Sequence, residues 1–128
     1  MTLTLLCVED EPDLLADLIE ELTYSGYTAH GAASAEQALE RLSAGGIDMV
    51  LCDVQLPGLS GPELHARVRM QCSAEVTPPF VYLTAFGRDA LRHLGIDIGA
   101  SRLIVKPIDF DALDDTIRDI AAQARVPG

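Results

Sequence analysis

Glu9, Asp10 and Glu11 follow one short apolar run, Asp53 a second, Thr84 a third, and Lys106 with Pro107 a fourth. Carboxylates that converge in one crevice repel and raise one another's pKa values unless a cation neutralises them, and a cluster of hard oxygen donors suits magnesium. Lysine brings a second positive charge, and a threonine hydroxyl can donate a hydrogen bond to a phosphoryl oxygen. Acid, metal, hydroxyl and ammonium together describe a phosphoryl-transfer site with a carboxylate as nucleophile. Each residue has an ordinary alternative: acidic side chains suit a helix N-terminus, a threonine can satisfy a strand end, a lysine can sit on the surface. Their joint position at the carboxyl ends of strands is what independent accidents would not produce.

The elements that must position them alternate. Short β-like runs recur at Leu3–Val8, Tyr27–His30, Ile47–Cys52, Phe80–Leu83 and Leu103–Val105, each followed by a helix-like segment. The first helix runs from about Asp13, with Leu14, Leu15, Leu18, Ile19 and Leu22 as one stripe, to Gly26. The second follows Ser34 and turns Ala35, Ala38, Leu39 and Leu42 inward before Gly45 and Gly46. The third opens at Gly61-Pro62 and buries Leu64 and Val68. The fourth, Arg88 to Leu94, is short and interrupted by Gly95 and Gly99, with Leu91 and Leu94 as its apolar anchors. The last, Asp109 to Ala124, aligns Leu113, Ile117, Ile120 and Ala124. Five βα units with right-handed crossovers predict an α/β fold, a parallel sheet covered by helices on both faces, with ligand chemistry outside the carboxyl ends of the strands.

Composition sets the limits. At 128 residues, 48% hydrophobic and 23% charged, the chain is expected to form one folded domain spanning 1–128. A net charge of -11 opposes direct contact with nucleic acid phosphates or anionic lipid. The apolar start, Leu3 to Val8, is too short for a membrane span and lacks a basic flank, so a cytoplasmic location is expected. Cys7, Cys52 and Cys72 show no CxxC spacing and read as reduced thiols. His30, His65 and His93 have no metal-ligand spacing and receive no chemistry.

The motifs Leu5-Leu6-Cys7-Val8-Glu9-Asp10-Glu11-Pro12, Met49-Val50-Leu51-Cys52-Asp53 leading to Leu56-Pro57-Gly58 and Gly61, Leu83-Thr84-Ala85, and Gly99-Ala100 before Val105-Lys106-Pro107 resemble, in order and spacing, the response-regulator receiver family of two-component signalling. The resemblance covers nearly the whole chain. It implies a doubly wound five-stranded sheet of order 2-1-3-4-5 and a phosphoryl group taken up by Asp53 from a sensor histidine kinase, a histidine phosphotransfer protein or a small acyl phosphate. It implies magnesium held by Asp10, Asp53 and the backbone carbonyl of Gln55, with Glu9 acting directly or through water, and phosphoryl oxygens held by Thr84 and Lys106. Gln55 and Phe86 would flank the path of the water that ends the phosphorylated state. Beyond self-phosphorylation and autodephosphorylation, no enzymatic activity is implied, and the downstream partner and oligomeric state stay open.

Competing functions lack their residues. An aspartyl-phosphate hydrolase needs a second carboxylate two residues after its nucleophile, where this chain has Gln55. A flavin phosphate would meet Glu9-Asp10-Glu11, and the glycine signatures of nucleotide sites are missing. The remaining rival is a degenerate receiver that serves as an interaction module without phosphorylation. One departure from the family is Leu103, three residues before the lysine, where receivers often carry Tyr or Phe. Leucine cannot signal by ring rotation, so the segment from Thr84 to Gly99 is expected to move instead, with Leu103 a passive packing residue.

Overall fold

The computed structural model describes residues 2–71, 77–99 and 101–125. Cys72, Ala100 and residues 126–128 lie outside the described residues, as does the side chain of Ala124. The order is β1 (Thr4–Val8), α1 (Pro12–Tyr24), β2 (Thr28–Ala32), α2 (Ala35–Ser43), β3 (Met49–Asp53), α3 (Gly61–Gln71), β4 (Phe80–Thr84), α4 (Arg88–His93), β5 (Arg102–Val105) and α5 (Phe110–Arg125). All pairings are parallel and the sheet order is β2-β1-β3-β4-β5, as the resemblance implies.

Each strand divides its side chains between two cores, because successive residues face opposite sides of a sheet. Leu6, Val8, Val50, Cys52, Phe80 and Tyr82 pack beneath α2, α3 and α4. Leu5, Cys7, Met49, Leu51, Val81 and Leu83 pack beneath α1 and α5. Burial on both faces is why these strands read as unbroken apolar runs.

Capping sets the helix edges. Pro12 begins α1, where a missing N–H does no harm. The Ser34 hydroxyl accepts from the Gln37 N–H, Ser60 from Glu63, and the Asp109 carboxylate from Asp111 and Ala112. Asp109 therefore caps α5 and does not open it. The second strand also moves, from the expected Tyr27–His30 to Thr28–Ala32, and Tyr27 instead donates its hydroxyl to Asp114 on α5. Leu94 is a correction of more consequence. It is 55% exposed, so it does not anchor α4. The helix has ended by then: Gly95 turns at φ +74°, a conformation glycine adopts freely, and the Ile96 N–H returns to the Leu91 carbonyl. Ile96 and Ile98 take the inward positions in its place.

Candidate functional site

The three central strands end level with one another, and residues at or just past their ends form an acidic pocket. Asp53 closes β3 and Thr84 closes β4, while Glu9 and Lys106 stand one residue beyond β1 and β5. Backbone bonds fix these ends: Glu9 N–H to the Ala32 carbonyl, Val54 N–H to Leu83, and Lys106 N–H to Thr84 at 2.7 Å. The expected site residues are thus brought to one place by the ladder.

Lys106 Nζ donates to Asp53 Oδ2 at 2.7 Å and to Glu9 Oε2 at 3.1 Å. The second oxygen of Asp53 accepts the Gln55 N–H at 2.9 Å, and Glu9 Oε1 accepts from Glu11. Asp53 is 7% exposed, and Glu9 and Thr84 are 1% exposed. Burial, with Asp53 beside it, pushes the Glu9 carboxyl up to about 7, against the pull of Lys106. Burial works against the charge of Lys106, yet its bonds to Asp53 and Glu9 carry its pKa above the usual lysine value.

Glu9, Asp10 and Asp53 can each direct one carboxylate oxygen so that the three lie within 4.8 Å of one another. Three carboxyls face a single ammonium, and the rise at Glu9, due first to burial and then to Asp53, is only partly offset by Lys106. A hard oxygen-only donor set with surplus negative charge fits a divalent cation of the magnesium type. Asp10 is exposed at the rim, where such a cation would enter.

Of the remaining expected residues, Gln55 is exposed and meets Asp53 through its backbone N–H. Phe86 is 38% exposed, and its backbone N–H donates to Thr84 Oγ1 at 3.1 Å. The Lys106–Pro107 bond is cis. Cys7 and Cys52 are buried free thiols whose pKa values burial raises, to about 12 at Cys7. His65, assigned nothing from the sequence, is half-buried against Phe80 and Tyr82. The signal for it was its spacing of four from Gly61 on the inward face of α3.

This geometry has known counterparts. Residues 5–118 match the family model described as the response regulator receiver domain, and the chain belongs to that family. The transcriptional regulatory protein TcrA of Mycobacterium tuberculosis is 37% identical over 96% of this chain and 47% of its own length. The chain thus spans about half the length of the curated relatives it matches. A putative response regulator from Chloroflexus aurantiacus has a TM-score of 0.81 at 36% identity, covering 95% of this chain and 99% of that one. The response regulator TrrA of Thermotoga maritima, solved in complex with Mg(2+)-BeF, has a TM-score of 0.75 at 30% identity, covering 92% and 98%. The protein is therefore a response-regulator receiver domain of two-component signalling. Among the described residues no helix is long and apolar enough to cross a membrane.

Proposed function

We propose that this receiver spans residues 1–128, takes a phosphoryl group onto Asp53 from a phosphohistidine donor on a sensor kinase or phosphotransfer protein, and switches a partner-binding surface. The observation that carries the reading is the convergence on Asp53, where one buried carboxylate meets the Lys106 ammonium, the Gln55 amide and two neighbouring carboxyls. A carboxylate oxygen of Asp53 attacks phosphorus, the P–N bond breaks, and the departing imidazole takes the electron pair and a proton. Asp10, Asp53 and the Gln55 carbonyl would hold magnesium, with Glu9 direct or through water, and the bound cation would offset charge on the phosphoryl oxygens. Lys106 moves from carboxylate to phosphoryl oxygen, and Thr84 donates its hydroxyl to another.

The TrrA complex with Mg(2+)-BeF supports the metal assignment by likeness. A degenerate receiver is not favoured, because the full residue set is present. Asp53→Asn is expected to abolish incorporation from acetyl phosphate, read by intact mass, and labelling equal to the parent overturns the assignment. Asp10→Ala is expected to weaken magnesium binding in a titration, and equal affinity removes Asp10 from the site.

A further inference from the structure

Outside the acidic pocket, the face of α3 turned to the sheet carries an unassigned cluster. Gly61 and His65 stand one turn apart on that face. Phe80, Tyr82 and Thr84, at alternate positions, share the facing side of β4. The His65 ring lies flat on Phe80, with centroids 4.0 Å and planes 9° apart, and its Nδ1 is 3.1 Å from the Tyr82 hydroxyl. At the head of the same helix, a Cβ on Gly61 would lie 2.6 Å from the Asp53 carbonyl oxygen and 3.1 Å from the Tyr82 ring. Tyr82 therefore meets α3 at both Gly61 and His65. It pairs across the ladder with Cys52, the chain neighbour of Asp53, and stands two residues before Thr84. On its other side is Leu103, which offers aliphatic packing and no polar atom.

We propose that Tyr82 and His65 form a relay that reports the state of the acidic pocket on α3. The proposal rests on the phosphoryl chemistry argued above. A displacement of Thr84 toward a phosphoryl oxygen is a displacement of the end of β4, and a close-packed interior passes it to the ring beside Gly61. That ring ends in one directional bond, to an imidazole on the helix, and such bonds weaken steeply when distance or angle changes. Tyr82 is a positioning residue here; it touches neither metal nor phosphoryl group.

Three histidines make the test direct, since His30 lies on β2, His65 on α3 and His93 at the end of α4. Imidazole NMR signals of the full chain, assigned with single His→Gln variants, are followed as magnesium and beryllofluoride are added. The His65 signal is expected to shift, His30 is expected to stay still, and Tyr82→Phe is expected to erase the His65 shift while the Thr84 and Lys106 amide shifts persist. A still His65 with moving Thr84 and Lys106 overturns this inference alone, as does a His65 shift undiminished in Tyr82→Phe. Stillness at all three overturns it together with the phosphoryl reading. Should Tyr82→Phe fail to fold, the Tyr82 ring signals read in His65→Gln must lose their response, and an unchanged response overturns the relay.

Discussion

Helices α3 and α4 pack on the same face of the sheet, on either side of β4, and they are built differently. The eleven residues of α3 bury Leu64 and Val68, begin against the Asp53 carbonyl at Gly61, and are pinned by His65 on two aromatic rings. The six residues of α4 bury one large side chain, Leu91, before Gly95 turns the chain away. Beyond it, Ile96 and Ile98 are half-buried, and Arg88 reaches across to the Ser101 carbonyl at 2.7 Å. The strands repeat the contrast: every residue of β4 is buried, whereas β5 has none fully buried. One flank of Asp53 is built to hold position and the other to yield, because local stability follows the number of buried apolar contacts an element makes.

The sharpest way to break this contrast is to remove one leucine from each helix. Leu64→Ala is expected to lower global stability by about 2–5 kcal/mol, the range for a fully buried leucine, because α3 melts with the sheet. Leu91→Ala is expected to lower the denaturation midpoint less while erasing the amide protection of residues 88–94. Equal losses in both, with α4 still protected, would make the two helices one cooperative unit.

A smaller effect is expected from the ligand side. In the proposed phosphorylated state, bonds from Thr84 and Lys106 to the phosphoryl group would be charge-assisted and worth about 1.5–3 kcal/mol each, enough to bias an element whose two states differ by a few kcal/mol. Hydrogen exchange with magnesium and beryllofluoride is therefore expected to change across residues 84–99. A change confined to α1 would move the output to the opposite face.

Much of this was legible before any coordinates. Five apolar runs, each followed by a helical period, set the order of elements, and chemistry-bearing residues at the strand ends located the pocket. Boundaries slipped where a side chain competed with the backbone pattern, as at Asp109, which caps α5, and Tyr27, which bonds Asp114. Leu94 misled because its spacing from Leu91 fits a helix that Gly95 does not let continue. The bonds of Lys106 to both Asp53 and Glu9 depend on how far the lysine reaches inward across the pocket, and no spacing rule encodes that. His65 was passed over because a lone histidine carries no motif, and its partners Phe80 and Tyr82 come from β4, the element after its own helix.

The smallest expected effect tests whether α3 is as firmly held as its contacts imply. Burial first, and the nearby Arg69 second, keep the His65 imidazole below the usual histidine value. As pH falls through about 6.5, the unfolded chain takes up a proton that the folded chain refuses, so stability drops until the folded value is reached and is level below it. Glu9 works in the opposite sense. Its folded carboxyl, at about 7, binds a proton before the unfolded one does, so stability rises as pH falls toward 4.5. The two are separated by difference: urea midpoints of the parent and His65→Gln, both free of magnesium, share the Glu9 contribution. The parent's advantage is expected to shrink between about pH 7.5 and 5.5, because only the parent loses the neutral imidazole's preference for the folded state. A constant difference would mean that the imidazole protonates within its stack as freely as in the unfolded chain, and the stack would then not pin α3.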